Sequence, residues 1–276
     1  MGTQAISKQL DLTVFRGWKD LGKYVWSPYV VKLEARLRFA GVRYKTDAGS
    51  LGRAPKGKIP YIECRNLSSI SESLAAQESP QSGLLLGDST LIARTFTEWG
   101  VLPDLNGGLE PSERLQDMAV TALLENKLYF LQGHERWVQN YYTMRDHVLW
   151  SIPYPLRVLI GLIVYRKNVT TFNGQGTGRF TAEEIAAFRR EIWETLNGQL
   201  STSRSSNQKR GDDEPFWLLG GEHPTEADTS LYGFIVSAMI CTAAPNSRKE
   251  MENFPAVLNY AERIHNRYFP DYEKWT

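Results

Sequence analysis

A proline near the head of a β-branched run is the feature of this sequence that bears most directly on chemistry. The run GKIPYIE occupies residues 57–63. Inside a strand, proline belongs at the first residue or on an edge, because it cannot donate to the ladder. A bond that precedes proline accepts the cis form at a cost of about 0.5–1 kcal/mol. A cis Ile59–Pro60 bond would turn the N–H and C=O groups of Ile59 away from their own sheet and toward an extended peptide ligand. An ordinary strand start is the alternative, and these residues alone leave both open.

Two polar pairs predict where helices begin. Ser27 precedes Pro28, which is the pattern of an N-cap followed by proline at the first helical position. Asp88 precedes Ser89 ahead of a second apolar pattern. The start of a helix carries free backbone N–H groups and a partial positive charge, so the start of the helix after Asp88 can hold a carboxylate.

The composition argues against several other functions. Among 276 residues, 32 basic and 31 acidic side chains leave a formal net charge of +1. A nucleic-acid partner needs a basic face that neutralises phosphates, so we expect none. Cys64 and Cys241 lie far apart, and the four histidines show no ligand spacing such as H-E-x-x-H. We therefore expect no metal and assign the histidines no role.

Cysteine usage and hydropathy also bear on localisation. The presence of only two cysteines fits a reducing compartment, and the N-terminus shows no signal-peptide core. The most apolar run, residues 158–164, is far short of the ~20 apolar residues that cross a bilayer. We interpret this run as a buried helix and expect a cytoplasmic protein with no membrane partner.

The first part of the chain, residues 1–104, predicts alternating strands and helices. Strands are expected at residues 12–15, 42–45, 60–64 and 84–86. Helices are expected after Ser27, ending at Gly41, and after Asp88. Strand, helix and strand in succession indicate a parallel βαβ unit with a right-handed crossover. With two further strands, the first opened by Pro60, and a final helix, the order is that of the thioredoxin-like fold. Residues 67–82 are interpreted as a surface loop.

The remaining part, residues 109–276, shows helical patterns and no strand pattern. Helices are expected over about 111–131, 135–150, 156–167 and 254–268. Two more helices are expected. One begins at a capping box in which Thr181 pairs with Glu184, and the other begins at Thr225, with Asp228 at the third helical position. Residues 201–214 lack apolar side chains and are interpreted as a solvated loop. The predicted architecture is an α/β domain followed by an all-α domain.

Several motifs together resemble a known family. SPYVVKLE at residues 27–34, KGKIPYIE at 56–63 and the Asp88-Ser89 pair are similar to the N-terminal half of glutathione transferases. GQGTGRFTAEEI at residues 174–185 and PTEAD at 224–228 resemble C-domain signatures of the branch related to failed-axon-connections and metaxin proteins. The whole chain is also similar to fungal transferase-like proteins of secondary metabolism, including the double-bond isomerase of pseurotin-type pathways. The resemblance gives Asp228 a structural capping role.

This resemblance implies that residues 1–104 bind glutathione, as a cosubstrate or as a recycled catalyst. The helix after Asp88 would hold the γ-glutamyl carboxylate with help from Ser89, while the Asp88 carboxylate pairs with the amine. Ile59, beside Pro60, would bond the cysteinyl backbone through its main chain. Lys58 would meet the glycyl carboxylate as a point charge. A simple N-cap role for Asp88 and a solvated Lys58 remain as alternatives.

Ser27 is the residue that the resemblance places at the thiol. A free cysteine thiol has a pKa of about 8.5, so a group must favour the reactive thiolate. A hydroxyl at a helix N-terminus does so by donating a hydrogen bond, without taking the proton itself. Ser27 as an N-cap only is the alternative. A glutaredoxin or an omega-like transferase would need cysteine at this position, so disulfide exchange is disfavoured.

The second substrate would occupy an aromatic cleft between the two domains. The candidate wall residues are Tyr24, Trp26, Tyr29, Tyr129, Tyr141 and Tyr142. Aromatic residues at helical spacing are also typical of a core, so each of these has a structural alternative. The expected substrate is a small-molecule electrophile.

The leading function is therefore glutathione thiolate addition to an activated carbon. Retaining the adduct is conjugation; adding to a conjugated alkene, rotating and expelling the thiolate is trans–cis isomerisation. No residue separates these outcomes. The alternative is a non-catalytic interaction module with the transferase fold. Transferases of this fold are commonly dimers, so we expect a homodimer.

Overall fold

A four-stranded mixed sheet forms the N-terminal half of the chain. The computed structural model describes residues 10–72, 76, 83–206, 211 and 213–275. The strands are β1 (Asp11–Phe15), β2 (Lys45–Asp47), β3 (Tyr61–Arg65) and β4 (Leu84–Gly87), in the order β2-β1-β3-β4. β1 and β2 are parallel, whereas β3 is antiparallel to both β1 and β4. The predicted βαβ unit and the thioredoxin-like order are confirmed.

Helices α1 (Pro28–Phe39) and α2 (Ser89–Glu98) pack against this sheet. Leu33 and Leu37 of α1 join the core of the sheet. Val31 and Ala35, on the other side of the same helix, join the core of the helical half. Helix α1 is therefore covered on two sides and lies between the two halves of the chain.

The C-terminal half contains helices only, over the residues that the structure describes. They are α3 (Pro111–Ala122), α4 (Tyr129–His134), α5 (Tyr141–Val148), α6 (Tyr154–Gln175), α7 (Ala182–Ser206), α8 (Glu226–Ile240), α9 (Pro245–Met251) and α10 (Pro255–Tyr268). Helix α8 is at the centre of this bundle, and its residues from Ala227 to Met239 are all buried. This arrangement confirms the all-α second half.

The helix that begins at Pro111 continues further than the sequence pattern predicts. Two π-helical turns, Leu123–Leu128 and Glu135–Gln139, follow α3 and α4 and keep the chain helical to Gln139. A π turn holds one residue more than an α turn, so it rotates the side chains that follow it. The expected separate helix at 135–150 is instead the end of this long helix followed by α5.

Three other predictions about secondary structure are wrong. The second strand lies at Lys45–Asp47 rather than at 42–45, because the Val42 N–H bonds the Leu37 carbonyl at 3.0 Å and closes α1. Helix α7 extends to Ser206, into the predicted loop 201–214. The Ser201 hydroxyl donates to the carbonyl four residues back, at 2.7 Å, and so is satisfied within the helix. The run 158–164 is largely exposed rather than buried.

The predicted surface loop at 67–82 is described in part. Leu67–Ser69 form a 3₁₀ turn, and residues 73–75 and 77–82 lie outside the described residues. No single helix in the described ranges is long and apolar enough to cross a membrane. Helices α8 and α9 pass that test as a pair, but they meet at 116°, and α8 is buried in the bundle.

A C-terminal strap, residues 271–275, ties the last part of the chain to the N-terminal half. The Glu273 N–H donates to the Gly22 carbonyl at 2.6 Å. The Tyr272 hydroxyl donates to Glu34 Oε1 at 2.7 Å, and Arg16 Nε lies 3.1 Å from the same oxygen. Arg16 also donates to carbonyls of the loop between β1 and α1. The strap therefore holds the loop that leads to Ser27.

Candidate functional site

One edge of the sheet brings together the segments that the sequence singles out. Tyr61 pairs with both Phe15 and Gly87. The residues that precede β3, the loop that follows β1 and the start of α2 after β4 therefore meet at the same edge. The Ile59–Pro60 bond is cis, as one of the two sequence interpretations expects. Ile59 precedes Tyr61, the first residue of β3 that pairs with a neighbouring strand, so its main chain lies outside the ladder.

Asp88 adopts an unusual backbone conformation at this edge. Its φ angle is +81°, in the region that favours glycine. Such a residue costs of order 1–3 kcal/mol, and residues of this kind cluster at functional sites. Asp88 Oδ1 accepts hydrogen bonds from the N–H groups of Thr90 (3.0 Å) and Leu91 (3.1 Å). The N-cap role is therefore present, while Oδ2 accepts nothing from the described residues and the side chain is exposed.

Ser89 is the first residue of α2 and is buried at this edge of the sheet. Its exposed fraction is 5%, and its hydroxyl has no hydrogen-bond partner among the residues that the structure describes. A hydroxyl without a protein partner can donate to a bound ligand. The hydroxyl and the first N–H groups of α2 therefore form a donor set for a carboxylate.

Ser27 is poised at the start of α1 without acting as its side-chain cap. Its backbone is extended, with φ −79° and ψ 117°, and its side chain makes no capping hydrogen bond. The preceding carbonyl, of Trp26, accepts hydrogen bonds from Arg136 Nη1 at 3.2 Å and from the Ser237 hydroxyl at 2.5 Å. The helical half thus fixes the peptide before Ser27, and the Ser27 hydroxyl is left for another acceptor.

Lys58 and Ile59 differ in their surroundings. The Lys58 side chain is exposed, whereas Ile59 is half-buried. Ile59 packs so closely on Gly17 that a Cβ at that glycine would lie 2.8 Å from Ile59 Cδ1. Gly17, with φ +79°, therefore lets the loop after β1 approach the entry to β3.

A buried polar cluster links the starts of α1 and α2 to the helical half. Lys32 Nζ donates to Thr90 Oγ1 at 2.9 Å and to Glu125 Oε1 at 2.6 Å. The Ser230 hydroxyl donates to the same Glu125 oxygen at 2.9 Å. The π turn at Leu123–Leu128 carries Glu125. Sequence reasoning missed this cluster, because Lys32 looks like part of a polar helix face.

Two tryptophans enclose a histidine beside Ser27. The Trp26 ring stacks on His147 with centroids 3.4 Å apart and planes at 10°, and Trp18 stacks on it at 4.2 Å and 13°. Trp150 meets Trp18 edge-on at 5.1 Å. Burial lowers the pKa of His147 to about 4, although the Asp20 carboxylate opposes this shift. His147 is therefore neutral near pH 7. The sequence analysis assigned it no role, and no local motif marks it.

The predicted aromatic wall residues fall into separate groups. Tyr29 lies 5.2 Å from Tyr129, measured between ring centroids. Burial raises the pKa of Tyr29, and Tyr129, Glu125 and Asp88 add to the shift. Tyr29 is therefore neutral at physiological pH and offers a polar hydroxyl at the edge of an aromatic pair.

Tyr24 faces a different part of the molecule. Its hydroxyl shares hydrogen bonds with the Tyr232 hydroxyl at 2.6 Å and with His265 Nδ1 at 2.7 Å. It borders a cavity of about 260 Å³, together with Trp26 and residues of the C-terminal strap. Burial raises the pKa of Tyr24 beyond its ordinary range.

Tyr141 and Tyr142 pack near helix α6. Tyr141 lies 5.0 Å from Tyr165, and Tyr142 is 72% exposed. No ring contact joins either residue to Tyr24, Trp26 or Tyr29 among the described residues. The structure thus brings Tyr29 and Tyr129 together, places Tyr24 and Trp26 at the cavity, and places Tyr141 and Tyr142 near α6. Their roles at a second substrate stay predictions.

Comparisons with known proteins agree with this geometry. The model of the glutathione S-transferase N-terminal domain family matches residues 28–144. The isoprene-epoxide–glutathione S-transferase of Rhodococcus sp. (strain AD45) is 27% identical over 251 residues, which are 88% of this chain and 92% of that protein. Failed axon connections of Drosophila melanogaster is 23% identical over 270 residues, or 90% of this chain and 56% of that protein.

A solved structure shares the fold at low sequence identity. It is a glutathione S-transferase from Rhodospirillum rubrum F11, with a TM-score of 0.52 and 15% identity. The superposition covers 94% of this chain and 89% of that chain. At this identity the likeness shows the fold alone.

Proposed function

We propose that the chain, whose residues 28–144 match the glutathione S-transferase N-terminal domain family, is a glutathione transferase related to Failed axon connections. We propose further that it activates the glutathione thiol for addition to a conjugated alkene. The observation that supports this most is the pairing of Tyr61 with both Phe15 and Gly87, which brings the entry to β3 and the start of α2 to one edge of the sheet. The relative from Rhodococcus is, by its name, a glutathione S-transferase of isoprene epoxide, and this supports a reaction of glutathione with an electrophilic carbon.

Glutathione presents groups that match this edge in order. Its γ-glutamyl carboxylate would accept from the Ser89 hydroxyl and the first N–H groups of α2, and its amine would donate to Asp88 Oδ2. The cysteinyl peptide would pair with the main chain of Ile59, as an added strand does. The glycyl carboxylate would lie toward the exposed Lys58 ammonium. These four contacts define the proposed glutathione site.

The thiol would then lie beside Ser27 at the start of α1. The Ser27 hydroxyl makes no capping bond, so it can donate to a thiolate. Both this hydrogen bond and the helix dipole favour the anion and lower the thiol pKa. The thiol proton leaves to solvent, and Ser27 keeps its own proton throughout.

Addition proceeds from the thiolate to the electron-poor carbon of the alkene. The sulfur–carbon bond forms while the π electrons move to the conjugated carbonyl, giving an enolate with a single bond where the double bond was. Rotation about that bond, followed by return of the electrons and loss of the thiolate, gives the cis alkene and recovers glutathione. Protonation of the enolate instead gives a stable conjugate. The neutral aromatic pair Tyr29–Tyr129 and the Trp26–His147 stack are the proposed walls for the organic substrate, which we propose to be a secondary metabolite.

We also propose that the protein acts as a cytoplasmic homodimer. Large apolar side chains are exposed on the outer faces of α2 and α3, at Leu91, Leu115 and Met118. Apolar side chains exposed on neighbouring turns of one helix, as Leu115 and Met118 are on α3, can form part of an interaction site. Light scattering of the purified chain would give its mass in solution, and a monomeric mass would contradict the homodimer.

Immobilised glutathione tests the glutathione site directly. Retention of the chain, and its release by free glutathione, is the expected result. A folded chain that passes through unretained would favour the alternative, a non-catalytic interaction module with this fold.

A trans-configured conjugated enone then tests the chemistry. NMR follows the alkene geometry, while a thiol assay follows free glutathione in the same sample. Cis product with undiminished thiol indicates isomerisation, and loss of thiol in proportion to a mass-shifted product indicates conjugation. If a chain that binds glutathione produces neither cis product nor a loss of thiol, that result would contradict thiolate addition to this class of alkene.

A further inference from the structure

Helix α6 exposes an apolar surface that the sequence pattern predicts to be buried. Leu156, Leu159, Leu162 and Ile163 have exposed fractions of 54, 62, 44 and 68%. Their spacing of three and four residues places them on one side of the helix. A solvated helix face normally carries polar side chains, so this surface calls for a partner.

The opposite side of α6 is packed, which fixes the orientation of the exposed side. Gly161 is buried, and a Cβ at this position would lie 2.6 Å from Arg145 Cδ and 2.7 Å from the Tyr141 hydroxyl. Helix α6 therefore meets α5 closely at Gly161. The exposed apolar residues are a fixed feature of the folded chain.

The charged side chains of α6 are all basic. The 22 residues of α6 include Arg157, Arg166 and Lys167 and no aspartate or glutamate. Arg166 and Lys167 are exposed and follow Leu162 and Ile163 by four residues, so they continue the same face one turn later. We call Leu156, Leu159, Leu162, Ile163, Arg166 and Lys167 together the α6 face.

Tyrosines border the other end of the α6 face. Arg145 lies under the rings of Tyr142 and Tyr154, at 5.3 and 5.9 Å from their centroids. Both tyrosines are exposed. An aromatic residue with a polar tip is favoured where an apolar phase meets water. The sequence of features along the helix is thus aromatic, aliphatic and basic.

We propose that the α6 face binds the surface of an anionic lipid bilayer. Leucine and isoleucine would enter the acyl boundary, as in helices that lie in the membrane plane. Arg166 and Lys167 would remain at the level of the head groups and pair with lipid phosphates. The helix does not span the bilayer in this arrangement, and the glutathione site is not part of the contact.

The absence of acidic residues in α6 favours lipid over a second copy of the chain. A two-fold interface brings the same patch of both copies together. The α6 face of a second copy would offer Arg166 and Lys167 no carboxylate. The nearby Asp146 is already paired with Arg145 and, at 3.7 Å, with Arg157. Anionic head groups supply the charge that a second copy lacks.

Co-sedimentation with sucrose-loaded vesicles tests this inference on the full chain. We expect sedimentation with vesicles of phosphatidylcholine mixed with phosphatidylglycerol, weakened by salt, and little with phosphatidylcholine alone. The double variant Leu159→Glu and Ile163→Glu should partition at least about tenfold less, since it places two charges in the apolar boundary. Leu51→Glu, which changes an exposed leucine of the other half, should partition as the original chain does.

A milder variant guards against loss of folding. Arg166→Gln with Lys167→Gln changes two exposed residues and should lower partitioning to anionic vesicles and remove most of its salt dependence. Sedimentation that none of these α6 substitutions alters would overturn the proposal, as would no sedimentation at all. A dimer that dissociates only in the Leu159→Glu and Ile163→Glu variant would also overturn it, because a second copy would then cover this face.

Discussion

Lys32 Nζ lies 2.6 Å from Glu125 Oε1, and this ion pair joins the helix that begins after Ser27 to the long helix of the other half. Lys32 is almost fully buried, and Glu125 is mostly so. The same ammonium donates to Thr90 in the first turn of α2. One side chain thus holds together the two helix starts that form the proposed glutathione site.

Replacing one member of this pair should be more harmful than replacing both. Lys32→Met leaves the Glu125 carboxylate without its counter-ion, and breaking a buried pair from one side costs about 3–5 kcal/mol. The double variant Lys32→Met with Glu125→Gln removes the stranded charge and should regain part of that loss. Urea unfolding of the single and double variants measures the free energies of unfolding. Strictly additive effects would show that the two groups do not interact.

Ser27→Ala should slow the reaction while leaving glutathione bound. Loss of one hydrogen bond to an ionised group is worth about 1.5–3 kcal/mol, which corresponds to a rise of about 1–2 units in the pKa of the bound thiol. Ultraviolet titration of the thiolate in the complex measures that pKa, and calorimetry measures affinity. A thiol pKa that does not move would show that another group holds the thiolate.

Ser89→Ala should weaken glutathione binding by about 10- to 100-fold, because it removes a buried donor to the γ-glutamyl carboxylate. Ser201→Ala is a matched control, since Ser201 is exposed on α7 and its hydroxyl donates only to the Asn197 carbonyl. Calorimetric titration with glutathione compares the two variants. An equal affinity for glutathione in the two variants would show that Ser89 does not bind glutathione.

His147 should make the fold sensitive to mild acid. Its pKa is about 4 in the folded chain and 6.5 ordinarily, so between these values the unfolded chain binds more protons. Stability from this group is therefore complete above pH 6.5 and is lost as the pH falls toward 4.

His147→Phe keeps a flat ring between Trp18 and Trp26 but cannot titrate. The fall in Tm from pH 7 to pH 5 should be smaller in this variant by a few degrees, since 1 kcal/mol corresponds to about 2–4 °C in a domain of this size. The other histidines are unchanged in the comparison. An equal fall in Tm from pH 7 to pH 5 in both chains would show that His147 contributes nothing to the acid response.

The features that the sequence predicted well depend on contacts within a few residues. Thr225 and Asp228 form the expected capping box, with the Thr225 N–H 2.8 Å from Asp228 Oδ2. Pro28 marks the start of α1, because its fixed φ suits the first helical position, although the Ser27 side chain makes no capping hydrogen bond. The parallel βαβ unit then follows from the order of these elements.

The features that it missed join residues far apart in the chain. Lys32 and Glu125 are separated by 93 positions, and no local pattern relates them. Trp18 and Trp26 stack on His147, which is contributed by a helix of the other half. For helix α6 the sequence pattern was local and clear, but the burial that it predicted was wrong. An apolar run predicts burial, but only its Gly161 side has a partner within the described residues.

The C-terminal strap has a consequence for how the site comes into being. Chains fold during synthesis with the N-terminal part first, so Glu34 meets Arg16 before Tyr272 exists. The Gly22 carbonyl likewise accepts its hydrogen bond from the Glu273 N–H only after residue 273 has been synthesised. A chain that stops before residue 271 would contain all four strands of the sheet, but its loop before Ser27 would lack these tethers. The codons for residues 271–275 therefore complete a cavity whose other walls are translated earlier.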